Sequence, residues 1–444
     1  MERESVERQS MERESVERGR DGLPLHPPRS TLHAPGLHAP LPTPHAPTLH
    51  APRSTLHAMK LAVTTLVFCV AALLALGVVM LYSSAMGQNG SRQLVLQVMW
   101  CGLGVAVCAV AALADYRWLK THLWWLLLLA AVVMLGLVLA PRIGVRHGGA
   151  RRWFDLGGLS VQPSEFAKLA LLVALAWYGE RCGRQMGRWW RGIVIPGLGI
   201  GLVAGLIFVE WDVGNAVVLA AVSAAVLIVA GIRLRYFLPP VLLALLAVGL
   251  FISSNPMRSQ RIYSWRHVEE TRLEKGLQAY QATVALGSGG ILGKGLGDGR
   301  EKLGYLPAHQ TDFIYAIIGE ELGLVGTGLV LAAFMAILVC GLAIAWNASD
   351  TFGLLLGCGI TFLIVFQALV NIGVVTGALP NKGLPLPFIS RGGSNLLVIL
   401  AGVGLLVSIA RHGRTAKALD DLPEGDEEFQ DPNPFRARLT GSHP

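Results

Sequence analysis

Tyr305 to Gly326 reads YLPAHQTDFIYAIIGEELGLVG. A short polar loop passes through Thr311-Asp312 and enters an apolar helix carrying two adjacent carboxylates, Glu320 and Glu321. An ionised side chain near the centre of a bilayer costs at least about 2.5–3.5 kcal/mol on insertion scales. One acid at the mouth of a membrane helix and two more inside it therefore need partners or a task. Local sequence leaves Asp312 two readings: a cap on the first free N–H groups of the helix, or a carboxylate placed to accept a proton. Glu320 and Glu321 are expected to pair with a buried cation and hold the helix in place.

Outward from this stretch the chain is a succession of apolar runs, at 61–82, 93–114, 121–140, 165–178, 193–209, 214–232, 236–254, 314–346, 353–376 and 394–411. Most match the ~17–25 residues that cross a bilayer. The fold class this predicts is an all-α polytopic membrane protein of ten transmembrane helices, with a large extracytoplasmic loop between helices 7 and 8. Ten is even, so both termini share a side. Arg117 and Lys120, Arg181 to Arg191, Arg233, Arg235, Arg411 and Arg414 all fall on that side, which the positive-inside rule makes cytoplasmic.

The opposite face breaks the rule. It carries Arg142, Arg146, Arg151 and Arg152, and then a loop from about 255 to 312 rich in Arg and Lys. Loops longer than about 12–15 residues are usually functional or disordered. Cations placed against topology suggest a bound anion; pairing with the loop's own acids is the alternative.

Composition agrees. Of 444 residues 53% are hydrophobic and 15% charged, with 52 glycines and a net charge of +8. Charge is far below the ~25% of soluble domains. No basic patch interleaved with aromatics points to nucleic acid. Six cysteines without Cys-x-x-Cys spacing make neither a disulfide framework nor a zinc site. Residues 1–58 repeat MERESVER and RSTLHA in a Pro- and His-rich context, as a disordered extension does, and Met59-Lys60 is a natural start before the first apolar run. No small-residue cleavage site follows that run, so a signal peptide is not expected. The membrane domain is 59–411, and 412–444 is an acidic, solvated tail.

Four further motifs carry polar chemistry. Gln162-Pro163-Ser164-Glu165 opens the fourth span, and Glu165 and Lys168 share a face at i,i+3, able to neutralise each other. The Ser164-x-x-x-Lys168 spacing is not the Ser-x-x-Lys of acyl-enzymes. Glu210-Trp211-Asp212 sets two acids at a membrane boundary, as a polar turn or a partner for a basic neighbour. Gly287 to Gly297 lacks the spacing of a phosphate loop, and its glycines suit close backbone packing. Pro380 to Asn395, with three prolines in a mostly apolar loop, reads as irregular backbone that survives at membrane depth only when buried in protein or lining a cavity. Lys382 and Arg391 would face that cavity.

These residues, together with GARRW, ALGSGG, KLGYLP, TDFIYA, GEELG, NIGVVTGALP and KGLPLPFIS in this order, resemble the SEDS family (shape, elongation, division and sporulation) over about 61–411, and its cell-division branch more than its elongation branch. The resemblance implies a ten-helix bundle that polymerises lipid II into peptidoglycan on the outer face of the cytoplasmic membrane, at the division septum. It makes Asp312 the catalytic base, deprotonating an acceptor sugar hydroxyl while undecaprenyl diphosphate leaves with inversion. Substrate-binding residues would include Arg151, Glu165, Lys168, Lys302, Lys382, Ser390 and Arg391. Implied partners are a class B penicillin-binding transpeptidase (FtsI-like) and other divisome membrane proteins. No cofactor is evident and no metal ligand set is seen; the reaction leaves room for a divalent cation, Mg or Mn. The chain departs from the family pattern at Trp211, Asn215, Gln310, Arg391 and Asn395. A lipid II flippase and a non-catalytic division scaffold are the competing readings.

Overall fold

The computed structural model describes residues 53–420 apart from 86–89, 142, 148–149, 156, 158–159, 255, 274–275 and 308–309. The first 52 residues and the acidic tail after Asp420 lie outside the described residues, and with them most of the expected terminal extensions.

All ten expected runs are helical. They form α1 (Arg53–Ala85), α2 (Gly90–Leu113), α3 (Trp124–Leu139), α4 (Pro163–Cys182), α5 (Ile195–Val209), α6 (Val213–Val229), α7 (Leu234–Ser253), α10 (Ile314–Trp346), α11 (Thr351–Val375) and α12 (Gly393–Asp420). Helix α1 starts at Arg53, ahead of Met59. Among the described residues seven helices are long and apolar enough to cross a membrane; α6 and α7 are apolar but shorter, and α4 carries Glu165, Lys168, Glu180 and Arg181. The loop between α7 and α10 contains α8 (Pro256–Arg266) and α9 (Leu277–Gly289).

The helices are sorted by burial. Helices α12 and α11 are the most enclosed, 78% and 72% buried over their apolar stretches, and α2 at 11% is an outer wall. Helices α4, α6, α10 and α12 pack around α11, while α1 and α9 lie on α10. Charged side chains pin one end of the bundle. Lys120 Nζ reaches Glu180 at 2.7 Å, and Asp350, the cap of α11, accepts from Tyr116 Oη at 2.6 Å.

Between α3 and α4 the helical expectation gains an addition. Val145–His147 (β1), Ala150–Asp155 (β2) and Ser160–Val161 (β3) form a small antiparallel sheet in the order β1-β2-β3. Aromatic Trp153 and Phe154 favour the extended conformation, but strands this short give no periodic signal. The sheet carries Arg151 and Arg152 on successive, hence opposite, faces.

Helix α10 is not continuous. Gly323 (φ 68°, ψ −163°) breaks it directly after Glu320 and Glu321. The loop after α9 repairs the break with its backbone: Lys294 N and Gly295 N donate to Glu320 O and Glu321 O at 3.0 Å each, and Leu324 N and Val325 N donate to Gly290 O and Ile291 O at 2.9 and 3.2 Å. A side chain at Gly293 or Gly323 would run into backbone atoms of the other segment. The glycine cluster thus serves the close packing expected of it.

Candidate active site

Asp312 lies in the turn before α10. The first residue of that helix is capped by backbone alone: Phe313 occupies the cap position and no side chain bonds there. Capping, one of the two readings of Asp312, is therefore not its task. Its backbone carbonyl accepts from Asn371 Nδ2 at 2.8 Å, which ties the turn to the end of α11. Gly383 lies so close to the carboxylate that any side chain there would overlap Oδ2. Burial is the largest influence on the Asp312 carboxyl and pushes it up to about 6, with Arg152 and a Thr311 hydrogen bond pulling the other way and Asp212 adding to the rise. A carboxylate so poised stays ionised at neutral pH yet is a stronger base than an exposed one.

The loop that faces it, 376–392, has irregular backbone, and its Leu384, Leu386, Phe388 and Ile389 are buried. Its polar groups find partners inside the protein. Asn371 Nδ2 donates to Leu384 O at 2.6 Å, Gln367 Nε2 to Pro385 O at 3.0 Å, and Leu386 N to Ser390 Oγ at 2.7 Å. Ser390 Oγ in turn donates to Thr311 O, and Arg391 N to Gln310 O at 3.0 Å, so this loop clamps the residues just before Asp312. The Arg391 guanidinium is half-buried, its pKa lowered by that burial, and it makes no ion pair among the described residues.

Beneath the loop runs a continuous buried polar network. Lys168, fully buried, pairs with Glu165 at 2.9 Å and donates to Asn215 Oδ1 and Gln367 Oε1, both at 3.1 Å. Gln367 donates on to Asn395 Oδ1 at 3.1 Å. Asn215 donates to Glu165 Oε1 at 3.3 Å and to Asp212 Oδ2 at 3.0 Å. Asp212 caps α6 through Asn215 N, accepts from Gln162 Nε2 at 2.7 Å and lies 3.8 Å from Arg152. Helix α11 and the first turns of α4, α6 and α12 therefore share one network, whose Asp212 and neighbouring Arg152 act on Asp312.

This sorts the sequence expectations. Ser390 and the Arg391 backbone bond the residues just before Asp312, while Glu165 and Lys168 join the network that reaches Asp212, whose charge acts on Asp312. Glu165 and Lys168 form the floor of the site, with the ammonium already occupied by three oxygens. Lys382 is partly buried in the facing loop, next to Gly383. Lys302 is elsewhere: its Nζ is 2.6 Å from Glu321 and also donates to Ser83 Oγ and Gly297 O. It is the buried cation expected for Glu321, and Lys294, 2.9 Å from Glu320, is its counterpart. Of the two arginines in β2, Arg152 and not Arg151 acts on Asp312, because strand alternation points neighbours apart. Gln367 and Asn371 were missed; uncharged amides inside the apolar helix α11 are their only signal. Among the described residues no three His, Cys, Asp or Glu side chains converge to hold a metal ion.

Fold and site define a polytopic helical membrane protein with a half-buried carboxylate under the charge of one arginine, Arg152. The chain belongs to the cell cycle protein family of FtsW, RodA and SpoVE, whose model matches residues 64–415; this is the SEDS family that the motifs resemble. It is 37% identical over 345 residues to a protein of Geobacter metallireducens named "Probable peptidoglycan glycosyltransferase FtsW", covering 76% of this chain and 92% of that protein. Stage V sporulation protein E of Bacillus subtilis is 39% identical over 324 residues, covering 72% and 87%. Among solved structures, a chain from work titled "Structural coordination of polymerization and crosslinking by a peptidoglycan synthase complex" superposes with a TM-score of 0.66 at 31% identity, covering 78% of this chain and 97% of that one. The rod shape determining protein RodA of Thermus thermophilus superposes with a TM-score of 0.60 at 32% identity, covering 78% and 95%.

Proposed function

We propose that this chain is a peptidoglycan glycosyltransferase that polymerises lipid II, with Asp312 as general base. The observation that carries the reading is the state of Asp312: half-buried, not used as a helix cap, raised toward neutrality by desolvation and set where the Arg152 charge acts on it. In the reaction the carboxylate takes the proton of the acceptor sugar hydroxyl. The hydroxyl oxygen bonds to the anomeric carbon of the donor with inversion, and the bond to undecaprenyl diphosphate breaks. Arg152, Arg391 and Lys382 hold the departing diphosphate, whose negative charge grows as the bond breaks. Glu165 and Lys168 keep Asn215 and Gln367 in place beneath it. No step is routed through a divalent cation.

The site faces the extracytoplasmic side, both termini are cytoplasmic, and the protein works at the division septum beside a class B penicillin-binding transpeptidase. The support is the arginine distribution and the FtsW names of the relatives. The test is Asp312→Asn, which keeps shape and removes the base. Purified full-length protein with lipid II and a cognate transpeptidase should lose about 10²–10⁴-fold of its polymerisation rate. Unchanged polymerisation excludes Asp312 as base. Transbilayer movement of lipid II without polymer from the wild type favours the flippase.

A further inference from the structure

Glu210 ends α5 and is 1% exposed, yet neither of its carboxyl oxygens has a hydrogen-bond partner. Asp212, two residues on, accepts from Gln162, from the Asn215 backbone and from the Asn215 side chain. The turn between them is strained. Trp211 has φ +64°, a left-handed conformation that a bulky residue keeps only where its surroundings enforce it. Trp211 is left 62% exposed while the acids on either side of it are buried.

Glu210 is therefore a buried carboxyl with no hydrogen bond of its own beside a charged network. Arg152 from β2 is the guanidinium in reach. It lies 3.8 Å from Asp212 at the start of α6, and its charge also acts on Glu210 and on Asp312 before α10. Its Nε has no acceptor. The remaining charges of the network, Glu165 and Lys168 of α4, neutralise each other. Three ionised carboxylates around one guanidinium would leave two uncompensated negative charges in a buried space, which desolvation strongly disfavours. One of the three must stay neutral, and Glu210 is the one that no donor stabilises as an anion.

We propose that Glu210 is a positioning residue acting through Arg152: as a neutral acid it leaves the guanidinium to Asp212, Asp312 and the diphosphate of the substrate, and as an anion it competes for it. The proposal rests on the reading of Asp312 as the base. Burial, followed by the Asp212 charge, raises the Glu210 carboxyl to about 8, with Arg152 opposing. The competition therefore sets in on the alkaline side of neutrality.

The test is the pH profile of polymerisation by the full-length protein with its transpeptidase, for wild type and Glu210→Gln. The wild-type rate should fall above about pH 8, chiefly through a rising KM for the lipid-linked substrate. Gln, neutral at every pH, should keep the neutral-pH rate within about threefold and be about tenfold faster than wild type near pH 9. Superimposable alkaline limbs, or a folded Glu210→Gln that is inactive throughout, overturn the proposal. Thermal stability gives a second readout. A raised carboxyl binds its proton more tightly in the folded state, so stability falls as pH rises from its unfolded value to its folded one. Wild-type stability should keep falling between about 6, where Asp312 has ionised, and about 8; a level profile there also overturns the proposal. Asp312→Asn separates the two readings. If it still polymerises, the base assignment fails, while the shift of the alkaline limb still judges the link from Glu210 to Arg152.

Discussion

Replacing Lys302 by Met tests whether the loop before Asp312 is held by charge. Glu321 is fully buried, and its oxygens accept from Lys302 Nζ at 2.6 Å, Ser83 Oγ at 2.8 Å and Gly297 N at 3.2 Å. The Lys302 side chain is 5% exposed, so solvent screens this pair little. Removing one partner of a buried pair costs about 3–5 kcal/mol, because the other charge stays behind. Ser83 and the Gly297 amide remain to solvate Glu321, which places Lys302→Met near the lower end, about 3 kcal/mol. At about 2 °C per kcal/mol for a large domain, thermal unfolding in detergent should shift down by about 6 °C. Adding Glu321→Gln removes the stranded charge, so the double variant should recover about half of the loss, about 1–2 kcal/mol. A Lys302→Met loss below about 1 kcal/mol, or a double variant no better than the single, refutes the reasoning. In that case the backbone bonds of the glycine loop carry the docking alone.

The other predictions concern the site and the break in α10. Below about pH 6 the polymerisation rate should fall about tenfold per unit as Asp312 takes up its proton, and a rate level down to about pH 5 would contradict the raised carboxyl. Gly323→Ala places a Cβ against Gly293 N and Ile291 O at a φ of +68°, and should cost at least about 1–3 kcal/mol, read as a lower midpoint in thermal unfolding and faster cleavage of the 290–303 loop by protease. Ser390→Ala removes the bonds to Thr311 O and Leu386 N; it should lower kcat about tenfold or more with a smaller change in KM, since Asp312 loses its aim and the arginines stay.

The bundle was legible because its helices must be apolar on nearly every face to meet lipid, and ten such runs stand out without periodicity. The Glu165–Lys168 pair was legible for a related reason: in an apolar helix a charge at i needs its opposite at i+3 or i+4. Lys302 was misplaced because a lysine in a basic loop carries no mark of which acid it meets. Its partner is 19 residues away in sequence, across a loop whose Lys294 N and Gly295 N dock on the Glu320 and Glu321 carbonyls.

The break at Gly323 also explains how the helix tolerates Glu320 and Glu321. Read as one continuous helix, Tyr305 to Gly326 buries two acids about two turns into the membrane with nothing nearby to neutralise them. Broken after Glu321, the same residues offer four backbone groups to the glycine loop and two carboxylates to Lys294, Lys302 and three loop amides, Gly297 N, Arg300 N and Glu301 N. The acids of GEELG thereby fix the loop that leads into Asp312, while Asn371 and Ser390 fix it from the other side. With the turn held from both directions by uncharged and paired groups, the Asp312 carboxylate takes no part in capping its own helix. Each hydrogen bond an anion accepts lowers its basicity, as the Thr311 bond does here, so sparing the carboxylate the helix N–H groups keeps it the stronger base.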